Sequence, residues 1–362
     1  MSRLSLLALV VALGCGGKST PPPTTPLPED KPATPVATTP APPPKPEPPP
    51  PAPGPLDVAI EAPQTTVKLV NAGKGKKTPL AYASAATPSE QVDLTFDFVE
   101  KHFAPAELGG DGQNGMPTII FSTEAIGTTV DKTAIEYTMK VSKTDAKDVE
   151  GARIKAEELK GALDTLKDFT IKGKVGPNGV ALEPTKISVG VGDQVAQQIV
   201  NLMQIALPSW PALPTEAVGD GAKWTATTNM KLMGQVDVTV VTDYTLVKRK
   251  GTAATIKGTT KVSGVEQSKG PSKISDIAGT GTIDGTIDSA HVFPQFVSSL
   301  DATFSVSEQD KAIKLQVKIG GQMTPASMPA PPVVEAKPDP KAKVEAKKPD
   351  AKTPAPKPEA KK

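Results

Sequence analysis

The chain has 362 residues, of which 40 are proline and one is cysteine, and its formal net charge is +2. A charge so close to balance, with aromatic residues at 4%, argues against a nucleic-acid partner. One cysteine excludes an intrachain disulfide and any cysteine-based metal site.

In chain order, Arg3 is followed by an apolar run from Leu4 to Gly14 that stops at Cys15-Gly16-Gly17. A basic start, a short apolar stretch and a small residue before a cleavage point make a signal peptide. The run is too short to span a bilayer, which takes about 20 residues. The stretch Val11-Ala12-Leu13-Gly14-Cys15 resembles the lipobox of bacterial lipoproteins. Gly14 and Cys15 fit that pattern, while Ala12 and Leu13 stand in swapped order. The resemblance implies cleavage before Cys15, acylation of its thiol, and a membrane partner reached through that lipid. It also implies a place in the cell envelope on the extracytoplasmic side. Gly16, where the family uses Asp to hold proteins at the inner membrane, points to the outer membrane.

Composition then divides the remainder. Residues 1–14 are the signal peptide. Residues 15–56 are the lipidated cysteine and a linker of Pro, Thr and Ala, which buries no core and should be disordered and extended. Residues 57–322 are long enough for a sizeable core. Residues 323–362 return to Pro, Ala, Lys and Glu and should not fold.

Within 57–322 the dominant signal has period two. Val92, Leu94, Phe96 and Phe98 alternate with polar residues, as do Ile135, Tyr137, Met139 and Val141. Between Gln235 and Lys248, Val236, Val238, Val240, Tyr244 and Leu246 fall on one face; Ile313, Leu315, Val317 and Ile319 close the series. Strands with one apolar face predict an antiparallel sheet covered on one side. Gly279, Gly281 and Gly285 predict that it bends. Two stretches have helical spacing: Ala152 to Lys167, and Asp193 to Ala206 with Asp193 as its cap. Between them, Gly176-Pro177-Asn178-Gly179 should turn a hairpin. The expected fold is α+β: a large, curved antiparallel sheet, like half a barrel, with two helices on its apolar face.

The stretch Leu213 to Trp224, containing Val218-Gly219-Asp220-Gly221-Ala222-Lys223-Trp224, resembles a signature in a family of uncharacterised bacterial secreted proteins and lipoproteins. There a Pro-rich approach and a Val-Gly-x-Gly-x-x-Trp turn lead into a long strand. The resemblance implies a fold and no activity.

Catalytic and metal patterns are sparse. The two histidines, His102 and His291, have no His or Cys partner at i+2 to i+5. Glu100 and His102 read as a surface pair at a strand end. Gly73-Lys74-Gly75-Lys76-Lys77-Thr78 lacks the first glycine of a phosphate loop and reads as an exposed basic hairpin loop. Gly109 to Gly115 lacks the carboxylates of a calcium loop and reads as a flexible loop. The expectation is a non-enzymatic lipoprotein without metal or cofactor. It binds an apolar ligand or an envelope partner through its curved sheet, with Val195, Ile199, Leu202 and Met203 as the candidate apolar contacts. The competing reading is a structural or assembly protein with a solid core.

Overall fold

A computed structural model describes residues 54–82, 89–130, 133–166, 168–207, 209–308 and 311–328. The expected signal peptide, Cys15 and most of the expected linker and tail lie outside these residues.

The alternating segments are strands. Leu56–Ile60 (β1), Gln64–Asn71 (β2) and Lys74–Thr78 (β3) come first. Glu90–Phe103 (β4), Gly112–Gly115 (β5), Thr118–Val130 (β6) and Ala134–Lys147 (β7) follow. A helix, Ala156–Leu163 (α1), precedes the hairpin of Thr170–Val175 (β8) and Thr185–Val189 (β9). The second helix, Gln194–Ala206 (α2), leads to Val218–Asp220 (β10), Lys223–Leu232 (β11) and Val236–Lys250 (β12). Ala253–Ser263 (β13), Gln267–Lys269 (β14), Ser272–Asp288 (β15), Gln295–Glu308 (β16) and Lys311–Pro325 (β17) complete the series.

Fifteen strands form one antiparallel sheet, ordered β1-β9-β8-β7-β6-β4-β17-β16-β15-β13-β12-β11-β2, with β5 on β4 and β14 on β15. Register keeps one face apolar along the whole path. Val92, Leu94, Phe96 and Phe98 of β4 stand beside Pro325, Met323, Gly321 and Ile319 of β17. Phe296, Leu300, Ala302 and Phe304 of β16 continue that face.

The two edges of this sheet, β1 and β2, are separated in sequence by Glu61-Ala62-Pro63 alone. The link from Ile60 to Gln64 spans at most about 14 Å, so the sheet curls until its edges meet the same short segment. Every neighbouring pair is antiparallel, so β1 and β2, first and thirteenth along the path, run in the same direction. Parallel neighbours cannot be joined by three residues, but two successive halves of one strand can. Residues 56–71 therefore act as a single interrupted strand, bonded first to β9 and then to β11. Pro63 lacks an amide donor, which suits a break at that place. Burial slips by one residue across it, from Leu56, Val58 and Ile60 to Thr65, Val67 and Leu69.

Both helices pack on the apolar face. Asp193 caps α2, its Oδ1 accepting the Ala196 N–H at 2.8 Å. Helix α1 is shorter than its periodicity suggests. Its preceding residues are held elsewhere, because the Arg153 N–H donates to the Gly115 carbonyl. The start of α1 is capped instead by Asp148, whose Oδ1 accepts the Ala156 N–H at 2.7 Å.

Three further expectations change. Lys74–Thr78 is not a loop but a strand, paired with β10 in a separate two-stranded sheet. Gly112–Gly115 pairs with β4 instead of forming a loop. The folded region does not end at 322: β17 runs to Pro325, the Ala326 N–H donates to the Gln91 carbonyl at 2.8 Å, and Met328 is buried.

Candidate functional site

Part of the chain itself lies inside the curl. Ile199, Leu202 and Met203 of α2 are buried in the core, at 3%, 4% and 1% exposure. Val195 lies on the same helix, and its side chain is outside the described set. Helix α2 packs near β1 at the seam and near β4 and β17 in the middle of the strand order, so it crosses the space inside the sheet.

After α2 the chain stays inside. Trp210, Pro211, Ala212, Leu213 and Pro214 are all buried. Trp210 packs against Tyr82, Tyr137 and Phe293, with ring centroids 4.8, 5.6 and 5.7 Å away. The backbone polar groups of this segment, which cannot go unpaired in a core, are met by distant elements. Tyr82 Oη donates to the Pro211 carbonyl at 2.7 Å, Trp224 Nε1 to the Ala212 carbonyl at 2.8 Å, and the Leu213 N–H to the Asn178 carbonyl at 2.9 Å. Burial raises the pKa of the Tyr82, Tyr137 and Tyr244 phenols, so these rings stay neutral.

The Val-Gly-x-Gly-x-x-Trp turn anchors this plug. Gly219 passes under β3, and Gly221 takes a φ of 72°. Trp224 is then buried and stacked on Tyr244 at 5.4 Å. Residues 209–293 match the model of a family of unknown function (DUF6263). The matched segment opens beside Trp210, contains the whole turn and ends at Phe293, the ring that Trp210 touches. No curated protein matches the chain.

The outer face carries a cleft of about 630 Å3 that crosses β13, β15, β16, β17 and β4. Its floor is the backbone of one cross-strand row: Thr260, Gly281, Leu300, Ile319 and Phe98. Side chains alternate between faces, so the flanking rows point outward and form its walls. One wall is Thr259, Thr282, Ser299, Gly320 and Asp97. The other is Lys261, Thr280, Asp301, Lys318 and Val99. Five strands at about 4.8 Å spacing make a trough about 19 Å long. Its polar groups largely satisfy one another: Thr282 with Ser299 at 3.0 Å, Gln316 Nε2 with Asp301 at 2.8 Å, and Lys318 with Asp301 at 3.4 Å. What remains open to a ligand is mostly carbon: threonine methyls, lysine stems, Val99 and glycine backbone.

The titratable candidates separate. His102 packs its ring against Gly112. Glu100, read as a surface residue, is instead 2% exposed. Burial raises its pKa, with Asn114 hydrogen bonding and Arg153 opposing that shift. Its Oε2 and the Oδ1 of Asn114 both lack partners. The alternation 92-94-96-98 carried two residues further would have placed Glu100 on the buried face. His291 meets Glu90, 3.6 Å from Nδ1, and Ser327, 3.3 Å away. Ser327 also donates to Glu90 at 3.0 Å. Hydroxyl and carboxylate both meet Nδ1, whereas a relay triad uses the two ring nitrogens separately.

Proposed function

We propose that the chain is an extracytoplasmic lipoprotein, tethered through acylated Cys15, whose folded domain is a non-enzymatic binding module. It takes an apolar ligand or an envelope partner along the outer trough of its curved sheet. The observation that carries this reading is the division of space. The inside of the curl is occupied by α2 and the buried 210–214 segment, while the trough is open and crosses five strands. Its volume falls in the range of small-molecule sites.

Native mass spectrometry of the full chain purified from membranes tests it. A retained adduct that is lost in Ser299→Trp, a substitution that fills the trough from its wall, is the expected outcome. A bare protein mass, or an adduct indifferent to Ser299→Trp, removes the trough reading. The buried segment inside the curl also favours a second function, that of a rigid structural lipoprotein. That reading would then lead.

A further inference from the structure

At one rim of the sheet, β3, β10, the start of β11 and the end of β12 are bound together. Lys74 stands opposite Asp220, and the Gly221 N–H donates to the Leu246 carbonyl at 2.9 Å. Arg249 donates to the carbonyls of Thr78 and Val218 at 3.0 and 3.2 Å. Lys74, Lys76, Lys77, Lys223, Lys248 and Lys250 project from this rim, and all six are exposed. None of them forms an ion pair with a described residue. Asp220 is the carboxylate set among them.

Two β-bulges flank the same strand start. Val70 is the extra residue of β2, between Leu69 opposite Trp224 and Asn71 opposite Lys223. Val247 is the extra residue of β12, between Leu246 and Lys248. A bulge re-aims a side chain, and here both valines face water, at 64% and 44% exposure. The sequence places two apolar side chains outward, among lysines that form no ion pair with a described residue.

We propose that this rim docks on an anionic phospholipid surface, the lysines meeting headgroup phosphates and Val70 and Val247 entering the boundary below them. Paired basic and apolar groups are what an interfacial contact needs, whereas an acidic protein partner would leave the valines unused. The choice of surface rests on the membrane tether proposed above, so the test removes that tether.

The full chain carrying Cys15→Ser is sedimented with vesicles of phosphatidylcholine containing about 30 mol % phosphatidylglycerol, and with neutral phosphatidylcholine vesicles. Binding to the anionic vesicles alone, weakening steeply between about 0.1 and 0.5 M salt, is expected. Each lysine near such a surface is worth about fivefold in partition. Replacing Lys74, Lys76 and Lys77 together by Gln should therefore cut binding at least tenfold. Val70→Ser with Val247→Ser should weaken it at least about threefold while leaving the salt slope unchanged. Circular dichroism on each variant confirms that the fold persists, and Lys248→Gln with Lys250→Gln gives an independent second probe. Equal binding to neutral vesicles, no binding, or binding that survives both lysine variants and vanishes when residues 329–362 are removed would overturn the proposal. Acylation of wild type without binding by Cys15→Ser would sink the rim and spare the tether. The reverse result would spare the rim.

Discussion

A β-carbon built on Gly219 would stand 2.1 Å from the carbonyl oxygen of Lys74, closer than any real side chain permits. Gly73 faces the same constraint from the other side, 2.4 Å from the Gly219 oxygen and with a φ of 75°. The two glycines let β3 and β10 pair at close range, and the pairing delivers the chain to Trp224. Gly219→Ala should therefore lower stability by about 1–3 kcal/mol through overpacking. Denaturant unfolding followed by tryptophan fluorescence measures it. A midpoint equal to wild type would mean that β3 yields without cost.

The C-terminal boundary gives a second expectation. Met323 and Met328 are 3% and 8% exposed, and the Ala326 N–H donates to the Gln91 carbonyl. A chain ending after Gln322 loses two buried methionine side chains and the last pairings of β17 with β4. Exposing such groups costs about 2–5 kcal/mol each. Its thermal midpoint should fall by more than about 5 °C relative to a chain ending after Met328. Equal midpoints would place the structural boundary at 322 after all.

Glu100 makes stability depend on pH. Burial raises its folded pKa above the unfolded value, so the folded state binds the proton more tightly. The resulting stability is fully present below the unfolded pKa and is lost as pH rises through the folded one. Glu100→Gln should then stabilise the domain by about 1 kcal/mol at neutral pH, its amide also offering a donor to the orphaned Asn114 Oδ1. The advantage should shrink as pH falls through the folded pKa and be gone below about pH 4. Melting curves across pH read this directly, and a constant offset at every pH would contradict it.

Local pattern carried the fold where the signal was local. The alternation of Val236, Val238, Tyr244 and Leu246 showed β12, and Asp193 showed where α2 starts, because pleat and cap are written in adjacent residues. Strand Lys74–Thr78 has no apolar period at all and exists by pairing with residues about 140 positions later. The approach of the two sheet edges at Glu61-Ala62-Pro63 is likewise a property of strand order, since β1 pairs with β9 and β2 with β11. The apolar stripe of α2 was legible, but whether it lines a space or fills one depends on Trp210 to Pro214, which reads in sequence as a plain connection. The outer trough joins residues from five strands and leaves no local trace.

The tether is the remaining expectation, and it stands on residues 3–17. An apolar run ending at Gly14-Cys15, with no other cysteine in the chain, leaves one thiol for acylation. No helix among the described residues is long and apolar enough to cross a membrane. Two or three acyl chains, at about 0.8 kcal/mol per buried CH2, would make the tether stable. Cells fed an alkyne fatty acid should label the wild-type chain and leave Cys15→Ser unlabelled and released from the membrane pellet by high salt. High salt matters, because exposed lysines alone would hold a screened, reversible fraction on anionic lipid. Wild type that is unlabelled and soluble would end the lipoprotein reading, and equal label in both proteins would move the acyl group away from Cys15.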